Sequence, residues 1–169
     1  INNCMSINLG KTKEIVFRRP SPKHFVYPDP LCEIEQVNVA KLLGVFIADN
    51  FNYCTHISTV LKLCAQRLYL LRLLRNQGLS LHNLNIVFQA LVISRIVYCL
   101  PVWGGYVTAE QRGQINAFFR RAYTRGFCFK VYSIDDLLDA TDDRLFKAIQ
   151  SNVHCLHPRP GNEFRELLV

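Results

Sequence analysis

The chain has 169 residues, half of them apolar, and a formal net charge of +7. This length and composition suit one domain, or one and a half, with a sizeable core, so disorder is not the default expectation. The seven cysteines are odd in number and scattered, which is typical of reduced thiols in an intracellular protein and not of a disulfide framework. Because the chain begins with Ile1 rather than Met, we expect a fragment of a longer protein.

The positive charge is concentrated in the middle of the chain. Residues 1–50 carry +1, residues 51–134 carry +9 and residues 135–169 carry −3, and Glu110 is the single acidic residue of the middle segment. An ordinary solvated surface mixes both signs, so this segment predicts a polyanionic partner, either nucleic acid or an anionic membrane. The most apolar window, Leu81 to Trp103, is interrupted by polar residues, so we do not expect a membrane span.

The first fifty residues predict strands and turns. EIVF at 14–17 is a short β-branched run, and the proline-rich RRPSPKHFVYPDP that follows it predicts a loop. Residues 31–38 alternate apolar and acidic side chains, and KLLGVFIA at 41–48 is a compact apolar run. We therefore expect these two segments to form an antiparallel pair, with Gly44 marking a bulge or a close backbone approach.

After about residue 50 the period of the apolar residues changes to that of a helix. The core face of the first helix is marked by five residues at helical spacing: Ile57, Leu61, Cys64, Leu68 and Leu71. Ser80 is expected to cap a second helix that continues to Pro101, which cannot extend it.

Three further helices are predicted in the last third of the chain. Thr108 and Gln111 form a capping box for a helix that ends at Gly126, the usual residue after a helix C-terminus. We expect a short helix from Ser133 and a last one that begins near Thr141 and ends at His157-Pro158.

These patterns predict an α+β fold in two parts. Residues 1–50 form a small antiparallel sheet, and residues 51–169 form an all-helical part. We do not expect residues 1–50 to fold alone, because a partial sheet exposes unpaired strand edges.

Several short motifs follow one another along the chain. In order they are INLGKTKEIVF, KLLGVFI, HISTV, AQRLYLLRLLRNQGLS, YCLPVW and the closing HCLHPRP. The series resembles the C-terminal portion of the reverse transcriptase of non-LTR (LINE-type) retrotransposons. The resemblance implies that residues 1–50 are the end of a polymerase palm and residues 51–169 a helical thumb with the helices that follow it.

The NLGKT sequence at 8–12 matches the N-x-x-K-T of polymerase motif D. The resemblance implies that Lys11 approaches the phosphates of the incoming nucleotide and protonates the pyrophosphate leaving group in the intact polymerase, a role that suits a lysine of tunable pKa. The alternative is a solvated lysine in a loop.

The LLGV sequence at 42–45 matches motif E, the hairpin that resembles the primer grip. The resemblance implies that Leu43 and Gly44 lie at the primer strand, because a glycine lets backbone approach closely. Leu42 stands where the family usually has an aromatic residue, and an ordinary sheet core is the alternative.

For the basic helices, the resemblance implies a thumb that closes over a template–primer duplex, RNA–DNA or DNA, and binds its phosphates without sequence readout. The candidate residues are Lys62, Arg67, Arg72, Arg75, Arg112, Arg120, Arg121 and Arg125. At 100° per residue, Lys62, Arg67 and Arg72 lie on different sides of their helix, so they cannot all touch one duplex. The binding role therefore belongs to the segment as a whole.

The family takes the paired aspartates of two-metal polymerisation from motifs that precede this segment, so the resemblance implies that this chain alone is inert and that Mg²⁺ enters only in the intact polymerase. The sequence YSIDD at 132–136 has the wrong spacing and order for the catalytic aromatic-x-Asp-Asp, and its Ser133-x-x-Asp136 predicts a helix start. The best zinc constellation is Cys128, His154, Cys155 and His157, but it has no C-x-x-C pair, and we expect no metal or cofactor in this chain.

The expected function is therefore template–primer binding within an RNA-directed DNA polymerase in the cytoplasm or nucleus, with nucleic acid and the rest of the polymerase as partners and no membrane. Two alternatives stay open: a stand-alone helical nucleic-acid-binding module derived from such an element, and a protein-interaction domain whose basic helices meet an acidic partner. The aromatic residues near the basic helices are expected in the core rather than stacked on bases: Trp103, Phe118, Phe119, Phe127 and Phe129.

Overall fold

A computed structural model of the chain describes residues 7–19, 25–31, 33–151 and 153–157. Helices and two small sheets occur together, so the fold is α+β as predicted. The chain divides into two compact units, Ile1–Lys62 and Leu63–Val169. Some residues named above lie outside the described part: Cys4, Cys32, the first two prolines of the predicted loop and the final PRP of the HCLHPRP motif.

The first unit holds both sheets. Its strands are β1 (Lys13–Glu14), β2 (Glu35–Gln36), β3 (Val39–Leu42) and β4 (Val45–Ala48). β1 pairs in parallel with β2, whereas β3 and β4 form an antiparallel hairpin with Val39 opposite Ala48 and Leu42 opposite Val45.

The predicted pairing of residues 31–38 with residues 41–48 is therefore wrong. The chain reverses inside the second of these segments, at Leu43 and Gly44, whose φ angles are 47° and 88°. Two successive residues with positive φ are what the tight two-residue hairpin turns require, and glycine adopts such angles freely. Gly44 thus marks the turn of a hairpin and not a bulge within one strand.

A buried carboxylate joins the loop of the first unit to its hairpin. Asp49 accepts hydrogen bonds from the Tyr27 hydroxyl at 2.6 Å and from Arg18 Nε at 2.8 Å. The backbone N–H of Arg18 also donates to the Asp49 carbonyl at 2.8 Å. The Tyr27 hydroxyl and the Arg18 guanidinium stabilise the charged form, so the pKa of Asp49 lies below its ordinary value of 3.8.

This lowered pKa predicts an acid-sensitive first unit. A group whose folded pKa is depressed stabilises the fold above its unfolded pKa, and that stability is lost as the pH falls through the folded value. We therefore expect the urea midpoint of the full chain, followed by circular dichroism, to fall between about pH 5 and about pH 2. Asp49→Asn should lower the urea midpoint at neutral pH and make the fall of the midpoint at acid pH less steep. An equally steep fall in the variant would show that other carboxyl groups cause it.

Helix α1 (Cys54–Asn76) carries the predicted stripe of apolar residues. Ile57, Cys64, Leu68 and Leu71 are buried, and Leu61 is half-buried, so the predicted core face is confirmed. The chain then turns at Gly78, which has a φ of 89°.

The second helical stretch begins where predicted and ends earlier. Ser80 caps it by accepting from the Asn83 backbone N–H at 3.3 Å. It consists of α2 (Leu81–Phe88), a π-helical turn (Gln89–Ile93) and α3 (Ser94–Val97), and it is followed by α4 (Leu100–Trp103) and a 3-10 turn (Gly104–Tyr106). The expected continuation to Pro101 is wrong, because Cys99 has a left-handed φ of 53° and ends the helix two residues before Pro101. Pro101 instead lies in the first turn of α4, where its missing N–H is not needed.

Along α2, the π turn and α3, every fourth residue is buried: Leu84, Phe88, Val92 and Ile96. By length and composition alone, the described stretch Leu81–Tyr106 is also long and apolar enough to cross a membrane. The absence of a membrane span therefore stays a prediction.

Helix α5 (Ala109–Thr124) has both hydrogen bonds of the predicted capping box between Thr108 and Gln111. Helix α6 (Ile134–Ile149) starts after Ser133 as expected, but it is one helix and not two, and it ends at Ile149 and not at the predicted His157. Thr141 does not begin a new helix, because it is buried and its hydroxyl donates to the Leu138 carbonyl of the preceding turn at 2.9 Å.

The core of the second unit is aromatic. Trp103, Phe118, Phe119 and Phe127 are buried, so their predicted place in the core is confirmed, whereas Phe129 is exposed. The Trp103 indole donates to the Tyr98 carbonyl at 3.2 Å.

Candidate nucleic-acid interface

Four of the candidate arginines line one cleft of the second unit. Arg72 and Arg75 come from α1, and Arg121 and Arg125 come from the C-terminal end of α5. The cleft encloses about 460 Å³, and its other lining residues are Ala65, Leu68, Tyr69, Phe118 and Phe127. Among the described residues, no carboxylate lines it. Positive charge therefore converges here from two helices that are about fifty residues apart in the sequence.

The α1 wall of the cleft follows from helical spacing. Its residues lie at positions 65, 68, 69, 72 and 75, which share one face of a helix. Leu68 is buried at the base of this face, whereas Arg72 and Arg75 are exposed. The α1 sequence thus presents its guanidinium groups beside the apolar stripe that packs the helix.

The end of α5 is shaped by a glycine. Gly126 has a φ of 70°, and its N–H donates to the Tyr123 carbonyl at 2.8 Å, while the Phe127 N–H reaches the Ala122 carbonyl at 3.1 Å. These two bonds are the usual C-terminal motif with a left-handed glycine. The turn places Phe127 in the core two residues after Arg125, and both residues line the cleft.

Arg75 connects the two walls. Its Nη1 donates to the Arg125 carbonyl at 2.5 Å, and its guanidinium carbon lies 5.1 Å from the centre of the Phe127 ring. A cation at the carbonyl end of a helix is favourable, and a guanidinium over an aromatic face adds a cation–π contact. Arg75 therefore holds α1 against the end of α5 and also adds positive charge to the cleft.

Among the described residues, no acidic side chain forms an ion pair with a cleft arginine. The ion pairs of the described residues are Lys13 with Glu35, Arg18 with Asp49 and Arg112 with Asp135, and none of them includes a cleft arginine. Arg112, one of the predicted phosphate-binding residues, is thus already paired. The four cleft arginines offer their remaining donors to a ligand.

The other predicted basic residues do not join the cleft. Arg67 is half-buried, and its Nη1 donates to the Leu91 carbonyl in the π turn at 2.5 Å. Arg120 is exposed beside Arg121 but does not line the cleft, and Lys62 is exposed in the first unit. The structure therefore separates one group of four arginines from the predicted set.

Because Arg67 bonds within the protein, we expect it to stabilise the fold. Arg67→Met keeps much of the aliphatic stem and removes the charged donor, so the free energy of unfolding should fall by about 1–3 kcal/mol. Urea denaturation followed by circular dichroism measures the change, with Arg120→Met as the matched exposed control. Equal stability of the two variants would show that the bond to Leu91 contributes nothing.

The palm-like motifs lie in the first unit. Asn8 caps the 3-10 turn Leu9–Lys11 by accepting from the Lys11 N–H at 3.2 Å, and the Thr12 hydroxyl donates to the Asn8 carbonyl at 2.8 Å. The NLGKT sequence thus forms a compact turn that leaves the Lys11 side chain exposed.

The second palm-like motif is the tip of the β3–β4 hairpin. Leu43 and Gly44 are its two turn residues, and 80% of Leu43 is exposed. A bulky residue with positive φ is unusual, and here it projects an apolar side chain from the tip.

Among the described residues, no group of three or more His, Cys, Asp or Glu could hold a metal ion. Burial raises the pKa of the Cys64 and Cys128 thiols to about 11, so both are protonated at neutral pH and poor metal ligands. Asp135 and Asp136 lie in the first turn of α6, which confirms the helix-start interpretation of this motif.

Tyr69 is a cleft residue that was not predicted from the sequence. Tyr69 is 60% exposed and lines the cleft one helical turn before Arg72. Its position at i−3 from an arginine is a usable signal, because residues three apart are neighbours on a helix surface.

No protein-family model matches the chain, and neither a curated protein nor a solved structure matches it. The similarity to non-LTR reverse transcriptases therefore rests on the short motifs of the sequence and stays a prediction. The site is a concave surface with four arginines, an exposed tyrosine and no lining carboxylate among the described residues.

Proposed function

We propose that the chain binds the phosphates of a template–primer through the arginine cleft, as the end of the palm and the thumb of a non-LTR reverse transcriptase. The observation that carries this proposal is the convergence of Arg72, Arg75, Arg121 and Arg125 on one cleft without a lining carboxylate among the described residues. Phosphate is the ligand that satisfies such a group without requiring sequence readout.

The chemistry of the arginine side chain supports phosphate as the ligand of the cleft. A guanidinium is planar, always charged and able to donate two parallel hydrogen bonds to phosphate oxygens. Nucleic acid supplies a regular row of such groups, and binding them releases condensed counterions. Arg75 is already held by Arg125 and Phe127, so part of the ordering of the cleft is complete before a ligand binds.

Within a polymerase, the first unit has a separate role. We assign the exposed Lys11 to the phosphates of the incoming nucleotide, where it protonates the departing pyrophosphate, and the Leu43–Gly44 hairpin tip to the primer strand. These assignments are supported by the exposure of Lys11 and by the hairpin geometry at Gly44. The metal-binding aspartates and Mg²⁺ belong to the remainder of the polymerase, so this chain does not polymerise by itself.

The test is the salt dependence of binding. The affinity of the full chain for an RNA template annealed to a shorter DNA primer is measured by fluorescence anisotropy over a range of salt concentrations. Phosphate contacts predict a negative slope in log affinity against log salt, of about −0.7 to −0.9 for each phosphate that the arginines neutralise. Polyglutamate of equal charge serves as the control competitor and should displace the nucleic acid poorly. A flat salt response, or efficient displacement by polyglutamate, would favour an acidic protein partner instead.

A further inference from the structure

The cleft is too small to enclose a duplex. Its volume of about 460 Å³ lies in the range of pockets that enclose one small molecule, roughly 300–1,000 Å³. A double helix is far wider than such a pocket and touches only its rim. A ligand that enters the cleft must therefore be a single phosphate-bearing unit or a single strand.

The described residues of the cleft include one exposed aromatic side chain. Phe118 and Phe127 are buried in its base, and the Phe127 face is covered by the Arg75 guanidinium at 5.1 Å. Tyr69 is 60% exposed on the α1 wall. Of the three described aromatic residues that line the cleft, Tyr69 is thus the exposed one and is available for stacking.

We propose that the cleft takes one nucleotide of a single strand, with its phosphate on the arginines and its base stacked on Tyr69. This inference rests on the proposed function and names the part of the template–primer that the cleft binds: the single-stranded template extension and not the duplex.

The spacing of the side chains fits this ligand. Tyr69 and Arg72 are three residues apart on α1, so the ring and one guanidinium are neighbours. A nucleotide carries its base and its phosphate on the same sugar and can reach both side chains together. Arg121 and Arg125 on the opposite wall are placed for the phosphate of the same nucleotide or of the next one. Every base has a π face, so stacking adds affinity without adding sequence preference.

The experiment compares three nucleic acids on the full chain: a blunt duplex, the same duplex with a single-stranded template extension, and the extension strand alone. 2-Aminopurine in the extension reports stacking through the quenching of its fluorescence. We expect the extension to tighten binding by roughly tenfold over the blunt duplex and 2-aminopurine to be quenched. Tyr69→Ala should remove both effects, and Tyr69→Phe should keep them.

Tyr123→Ala is the matched control, because Tyr123 is a partly exposed tyrosine of α5 that does not line the cleft. Equal binding of blunt and extended duplexes, without a response to Tyr69→Ala, would overturn this inference and leave the proposed function standing. If none of the three nucleic acids binds, both fall. If Tyr69→Ala does not fold, an absence of quenching with the original chain still overturns the inference.

Discussion

Charge reversal at Arg121 is expected to weaken binding of an extended primer–template by about tenfold or more, whereas charge reversal at Arg120 leaves it nearly unchanged. The two residues are neighbours on α5 and both are exposed, but Arg121 lines the cleft and Arg120 does not. Arg121→Glu removes a charge-assisted bond to phosphate and adds repulsion, while both variants change the net charge of the chain equally. A long-range effect of net charge would therefore appear in both.

Anisotropy titrations of the two variants at one salt concentration measure this difference. The neutral variant Arg121→Gln should also reduce the salt slope by about one, the value for the loss of one phosphate contact. Circular dichroism spectra establish that each variant is folded. Equal losses of affinity at positions 120 and 121 would mean that the basic segment acts as a diffuse field and that the cleft has no special role.

Truncation of Phe119 is expected to have the largest effect on stability. Its side chain is completely buried, and its ring lies 6.0 Å from the ring of Phe118 and 5.9 Å from that of Tyr132. Phe119→Ala removes this packing and leaves a cavity, so the free energy of unfolding should fall by about 3–5 kcal/mol. Urea denaturation followed by circular dichroism measures the loss.

Phe146→Ala in α6 is the control, because it is the same substitution at a side chain that is 64% exposed. Its effect should stay within about 0.5 kcal/mol. Phe119→Leu should give an intermediate loss and keeps the comparison usable if the alanine variant does not fold. Similar stabilities of Phe119→Ala and Phe146→Ala would contradict the described core.

Helix ends were predictable because their signals are local. The capping box of Thr108 and Gln111, the Ser80 cap and the Gly126 terminus each depend on residues within one helical turn. The helix start predicted at Thr141 was wrong for a related reason. Threonine favours helix starts, but its hydroxyl can equally bond to the preceding turn inside a helix.

Strand pairing was less predictable. The partner of β1 begins 22 residues further along the chain, and both strands are two residues long, so neither carries a periodic signal. The hairpin turn at Leu43 has a leucine where asparagine or glycine is usual, and the apolar run around it resembles one continuous strand.

The candidate site was predicted as a basic segment, and tertiary packing decides which of its arginines converge. Arg72 and Arg75 share a helix face, as do Arg121 and Arg125, and these relations can be read from spacing. That the two faces meet, that Arg67 turns to Leu91 instead, and that Arg120 stays outside depend on how α1 and α5 pack in the second unit. The spacing of residues within one helix does not determine which face of that helix packs against the other helix.

The most direct measurement of the central claim is a titration of the arginine Nε–Hε resonances of the full chain with an extended primer–template. If phosphates bind in the cleft, the signals of Arg72, Arg121 and Arg125 shift together, while those of Arg120 and Arg112 stay in place. Shifts confined to Arg120 or Arg112, or shifts of all arginines alike, would contradict a phosphate-binding cleft between α1 and α5.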